Sequence, residues 1–204
     1  MEVKDRIIAQ ASEAFMREGV RRVTMDNLAS SLGMSKRTIY EIYRNKDQIL
    51  KECIETHIRY QKEVLEELAK SSKTAIHLFL SLLKNGIDNM KSQNPQFIND
   101  VRIYYPAIWK STLCANRNYN IEQTINLLKR GINEGVIKQD IDLQIISKLI
   151  MEIFELLANS DIFPYHLYPP SLLYEQTMIT LIRGIASAKG LAIIDEFTAN
   201  KTTS

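Results

Sequence analysis

Breaks are scarce in this chain. Its 204 residues include only seven glycines and five prolines, so long uninterrupted elements are expected. Runs of alternating β-branched residues flanked by hairpin signals are missing, which argues against a fold built on a sheet. Cysteine occurs twice, as Cys53 and Cys114. Two thiols in helical contexts are too few for a secreted disulfide scaffold and point to a reducing cytosol. No run of eighteen apolar residues exists. The nearest, "IISKLIMEIFELLA", is interrupted by Lys148, Glu152 and Glu155, so it reads as a buried helix and not a membrane span. The opening "MEVKDRIIAQ" has no apolar h-region, so no signal peptide is expected. A cytoplasmic location without membrane attachment follows as the expectation.

The usual signatures of catalysis are missing too. The three histidines, His57, His77 and His166, lie far apart and fit no metal-ligand spacing. There is no P-loop, no dinucleotide fingerprint and no nucleophile elbow. Neither an enzyme nor a metal or cofactor site is expected.

What the chain does contain is helical periodicity. Hydrophobic residues make up 45% and charged residues 25%, an ordinary globular balance. The apolar residues recur at three and four positions, which predicts an all-α fold. A first helix over residues 3–18 carries Ile7, Ile8, Ala11, Ala14 and Phe15 on one face and ends at Gly19. After the link "VRRV", Thr24 caps a second helix with Met25, Leu28, Ala29 and Leu32 facing inward. Gly33, Met34 and Ser35 form a tight turn, and a third helix starts at Lys36. Two short helices joined by a glycine-containing turn form the helix-turn-helix pattern. Asn45 and Gln48 make a variant capping box that opens a long helix. Further helices are expected near 73–91, 95–104, 107–131, 142–159 and 171–188, about nine in total. The tail "DEFTANKTTS" reads as loose. The resulting division is a three-helix helix-turn-helix domain over residues 1–46 and a larger helical domain over residues 47–204.

Charge is distributed unevenly between the two parts. The net charge is only +2. Between Arg21 and Lys46, however, six basic residues face two acidic ones, leaving the remainder slightly acidic. A locally basic module suggests a polyanion as its partner. At about 100° per residue, Ile39 and Ile42 define the buried side of the third helix. Arg37, Tyr40 and Glu41 occupy the opposite side, edged by Lys36 and Thr38. Such side chains can read base edges and clasp phosphates. Three helix starts, at Thr24, Ser35 and Asn45, carry polar caps, and two of them are followed at once by a lysine. A cation opposes the helix dipole at that end, but cap, dipole and cation act together on a bound phosphate.

The segment "VTMDNLASSLGMSKRTIYEIYRNKDQIL" resembles the DNA-binding signature of the TetR (tetracycline-repressor) family of bacterial transcription regulators, with matches at Thr24, Leu28, Ala29, Gly33, Ser35, Thr38, Ile39, Tyr40, Tyr43, Lys46 and Leu50. The preceding "IIAQASEAFMREGVRRVT" matches the family's first helix and link. The resemblance covers about the first fifty residues. It implies a dimer on a palindromic operator of double-stranded DNA, released by a small ligand of the C-terminal domain. By position it implies backbone contacts from Ser35, Thr38, Tyr40 and Lys46. It puts Lys36 and Arg37 nearest the bases and a phosphate at Thr24. Arg37 stands where the family often has a small residue, and Glu41–Ile42 where an aromatic residue or His is common. Glu41 lies four residues after Arg37, a spacing that lets the pair meet. Glu41 then either steadies Arg37 for guanine or itself accepts from cytosine.

The helices near 142–159 and 171–188 are apolar on more than one side, so each must cover two partners. A homodimer interface is expected from Ile146, Ile150, Ile153, Leu157, Met178, Leu181, Ile182 and Ile185. Candidates for a ligand pocket are Met90, Tyr104, Tyr105, Trp109, Phe154 and Tyr174, and the low charge around "YYPAIWKSTLCA" favours an apolar or aromatic ligand. The alternative reading is a helical protein–protein adaptor without DNA binding. It has no need of cations at helix starts.

Overall fold

The computed structural model describes residues 2–94, 96–157 and 161–202. Among these residues the regular elements are helices, and the one β pairing is an isolated antiparallel bridge between Ile137 and Ala186. The fold is thus all-α, as the apolar spacing predicts. The chain runs through α1 (Val3–Glu18), α2 (Met25–Leu32), α3 (Lys36–Ile42), α4 (Lys46–Ser71), α5 (Ala75–Ser92) and α6 (Gln96–Tyr104). It continues through α7 (Pro106–Trp109), α8 (Arg117–Asn133), α9 (Leu143–Leu157), α10 (Pro170–Ile185) and α11 (Ala188–Thr202).

Two departures from the sequence reading have local causes. The helix expected over 107–131 is divided. A π-helical turn, Lys110–Cys114, follows α7, and α8 restarts at Arg117. Thr112 is buried there and its hydroxyl donates to the Ile108 carbonyl at 2.7 Å. Asn116 and Asn118 are weak helix formers at the break. The tail is the other departure: α11 runs to Thr202, because Ile194 is fully buried and Phe197 packs beside it in a hydrophobic core.

The chain forms two compact units. The first takes the residues up to Glu63 together with Ser92–Ala115. Its core joins Ile7, Ala11, Phe15, Val20, Leu28, Ile39, Tyr43, Ile49 and Leu50 to Phe97, Val101 and Ile108. The first part of α4, α6 and α7 therefore belong with the three opening helices. The backbone ties α6 in as well, since the Asn94 N–H donates to the Met16 carbonyl at 2.6 Å. The second unit comprises Val64–Lys91 and Asn116–Ser204. Ile76, Leu80, Leu83, Leu128, Val136, Met178, Ile182 and Ile194 form its centre. Within it, Arg130 bonds the Ala69 and Ser72 carbonyls, while Glu134 accepts from the Ala75 N–H and from Arg130. One ion pair at the C-terminal end of α8 thereby bonds the α4–α5 turn.

Candidate nucleic-acid interface

Three caps set the geometry of α2, α3 and α4. Thr24 Oγ1 accepts from the Asn27 N–H at 3.1 Å, and Asn27 Oδ1 accepts from the Thr24 N–H at 3.0 Å, a closed capping box. Gly33 ends α2 at φ 62°, in the left-handed region that glycine enters without a Cβ clash. Ser35 Oγ accepts from the Thr38 N–H at 3.1 Å and lies 2.8 Å from the Thr38 hydroxyl. Asn45 accepts from the Gln48 N–H at 3.0 Å, while Gln48 reaches back to the Arg44 N–H. The turn between α2 and α3 is fixed by these bonds and by Ile39, which is wholly buried.

With Ile39 turned in, α3 exposes Ser35, Lys36, Arg37, Tyr40 and Glu41, and half-buries Thr38. Ile42 departs from expectation. The helical spacing predicts it on the buried side, yet it is 39% exposed. The helix ends at Ile42, and Tyr43 takes extended geometry (φ −126°, ψ 123°) and turns into the core in its place. The Tyr43 hydroxyl donates to Glu52 at 3.1 Å, and burial pushes its pKa well above the ordinary tyrosine value.

The two outward cations of α3 are each matched by one carboxylate. Arg37 Nε donates to Glu41 Oε1 at 3.0 Å along the helix. Lys36 Nζ lies 2.9 Å from one Asp26 oxygen and 3.0 Å from the other. Sequence reasoning passed over Asp26; the signal available was an acidic residue in the first turn of α2, ten residues before Lys36. Lys46 has a different setting. Its ammonium donates to the Val20 carbonyl at 2.9 Å and the Val23 carbonyl at 3.0 Å, 6.0 Å from the Tyr105 ring centroid. Burial lowers its pKa, opposed by Asp47 and Asp100. The lysine after the third cap is thus explained by the open carbonyls of the α1–α2 link. Arg21, on that link, donates to the Tyr104 hydroxyl at 3.2 Å, with its guanidinium 4.5 Å from the ring centroid. Arg22 and Arg44 are exposed nearby in sequence.

The six pocket candidates are divided between the units. Tyr104 is exposed, and Tyr105 and Trp109 pack on the first core. Met90 packs on the second core, where Tyr174 is buried. The Phe154 side chain lies outside the described residues. The expected dimer residues lie as follows in the chain. Ile150, Ile153, Leu157, Met178, Ile182 and Ile185 are buried within their own protomer, and Ile146 and Leu181 are half-buried. Among the described side chains, the large apolar ones left exposed on α9 are Ile145, Leu149 and Leu156, and on α10 Leu172. The helical spacing of both stripes is the same, so periodicity alone could not say which one faced inward.

Comparison with known proteins agrees with this architecture. Residues 7–53 match the model of a family described as bacterial regulatory proteins, tetR family. An uncharacterised HTH-type transcriptional regulator of Bacillus subtilis strain 168, YvaF, is 28% identical over 105 residues, which is 51% of this chain and 55% of that one. The chain thus aligns with about half the length of that relative. Among solved structures, a TetR-family transcriptional regulator from Marinobacter aquaeolei VT8 superimposes with a TM-score of 0.72 at 16% identity, covering 97% of this chain and 99% of the other. A TetR-family regulator from Agrobacterium tumefaciens gives a TM-score of 0.73 at 10% identity, covering 90% and 97%. These likenesses are of fold. Neighbours and relative are alike described as transcriptional regulators. Its helix-turn-helix segment thus matches the tetR-family model over residues 7–53, and its all-helical fold is that of solved TetR-family regulators.

Proposed function

We propose that the chain is a ligand-responsive DNA-binding transcriptional regulator: a repressor that binds a palindromic operator as a homodimer and is released by a small apolar or aromatic molecule. The observation that carries this reading is the outward face of α3, where Lys36, Arg37, Tyr40 and Glu41 are exposed beside the capped turn while Ile39 anchors the helix from behind. In this reading residues 1–46 hold the DNA contacts. The helix enters the major groove, which admits one α-helix. Ser35, Thr38 and Tyr40 give hydroxyls to backbone phosphates. The two terminal nitrogens of Arg37, left over once Nε is used by Glu41, form a fork suited to guanine O6 and N7. Thr24 brings the first turn of α2 to a phosphate. Lys46 serves by holding the α1–α2 link.

Residues 47–204 dimerise and take the ligand. The exposed stripe of Ile145, Leu149 and Leu156 with Leu172 supports a second copy of the chain as its cover. Two-fold symmetry then sets two α3 helices about one duplex turn apart, roughly 34–36 Å. Met90 and Tyr174 lie in the second core and remain the pocket candidates there.

Selection of bound duplexes from a random pool at physiological salt tests the proposal. Enrichment of a palindrome with two half-sites one turn apart is the expected result. A pool that stays random after repeated rounds overturns it. A reporter placed behind the selected sequence is expected to be silenced by the protein and restored by the inducing ligand.

A further inference from the structure

Of the two cations that α3 turns outward, only one keeps its recognition atoms open. Arg37 meets Glu41 through Nε alone, and its side chain is 89% exposed. The terminal guanidinium nitrogens remain available, so the bond steadies the fork without covering it. Lys36 has a single charged atom, and that atom lies between both Asp26 oxygens at 2.9 and 3.0 Å. The hydrogen bond to Asp26, and then its charge, hold the Lys36 ammonium pKa above the ordinary lysine value. The pair joins two helices, α2 and α3, and Asp26 itself is 72% exposed. A phosphate approaching Lys36 therefore meets a neutralised pair.

We infer that Asp26 is a positioning residue for sequence discrimination: by engaging Lys36 across the α2–α3 turn, it suppresses indiscriminate backbone binding and leaves base readout to Arg37. This rests on the DNA-binding reading above. The physical reason is that non-specific affinity comes almost wholly from cations that displace condensed counterions. Removing one such cation from that account lowers binding to every sequence alike. Base-edge contacts, in contrast, depend on an oriented donor set.

The test compares wild type, Asp26→Asn, Lys36→Met and the double variant on two duplexes, the selected sequence and a random one, over a series of salt concentrations. Asn is nearly isosteric and the position is exposed, so folding is expected to survive, and urea melts check it. Asp26→Asn is expected to raise affinity for the random duplex about 3–10-fold. It is also expected to steepen the plot of log affinity against log salt by about one unit, while the selected duplex gains less, so the ratio of the two falls. In the Lys36→Met background the Asp26 change is expected to do nothing. Equal gains on both duplexes, no change in either, or an effect that persists without Lys36 overturns the inference while leaving the regulator reading intact. Failure of the wild type to bind either duplex overturns that reading, and this inference with it.

Discussion

Lys46 ties down the α1–α2 link from behind. Its ammonium donates to two backbone carbonyls, those of Val20 and Val23, beside the Tyr105 ring. Lys46→Met leaves both carbonyls without that partner, so stability is expected to fall by about 1–3 kcal/mol in urea melts. An unchanged midpoint would show that water substitutes freely. Arg37 and Glu41 sit on the face proposed to read bases. In binding-site selections, Arg37→Ala is expected to erase preference at one position per half-site, worth roughly 1–3 kcal/mol, and Glu41→Ala to blur the same position. If neither alters the selected sequence, α3 binds through phosphates alone. Two buried groups make alkaline stability predictable. Burial raises Tyr174 to about 12 and the Cys53 thiol to about 11. The unfolded chain releases both protons sooner, near the ordinary values of 10.0 and 9.0. The native state then holds more protons, so stability is complete below about pH 9 and declines as pH rises through 11 and 12. Tyr174→Phe is expected to flatten the part of that decline above pH 10, as read by urea midpoints against pH.

At the scale of the element, α11 carries the clearest prediction. A Cβ on Gly190 would lie 2.1 Å from the Val136 carbonyl oxygen, and that atom is backbone. Gly190→Ala must therefore lift the start of α11 off its neighbour, at a cost expected at the upper end of the 1–3 kcal/mol typical of overpacking. A stability equal to wild type would mean that α11 docks only loosely. The same helix marks the boundary of what the sequence made legible. The opening helices were readable because cap, apolar stripe and stop coincide within each: Thr24 with Leu28 and Gly33, Ser35 with Ile39. In α11 the apolar positions Leu191, Ile194 and Phe197 are spaced by three and Ser187 accepts from the Gly190 N–H at 3.2 Å, but a glycine in the first turn and the polar tail weaken the pattern. The break around Lys110–Cys114 was hidden for the opposite reason, because apolar periodicity continues through it while the hydrogen-bond pattern changes. The face of α3 was legible save for its last residue. Ile42 depends on where the helix stops, and Tyr43, which ends it, competes for the same interior. Side-chain partners such as Asp26 for Lys36, or Tyr104 for Arg21, join residues that no helical spacing connects.

At the scale of the whole molecule, the proposed dimer is tested on its exposed stripe. Leu149→Lys leaves the interior of the protomer untouched, since Leu149 is 46% exposed, and its thermal stability as a monomer is expected within about 0.5 kcal/mol of wild type. Sedimentation velocity is expected to show the assembly dissociating, with operator affinity falling in parallel. A dimer that persists places the interface elsewhere. The length of α3 adds a quantitative reason for pairing. Seven residues at about 1.5 Å of rise make a rod close to 10 Å long, while successive base pairs are about 3.4 Å apart. One such rod can inspect about three steps of duplex, enough to tell apart only some 4³, or about 64, words. A genome presents roughly a million or more registers, so a single rod meets its word tens of thousands of times by chance. Two rods locked at a fixed offset square the vocabulary, and each further letter must come from the bendability of the stretch between them, which neither rod touches.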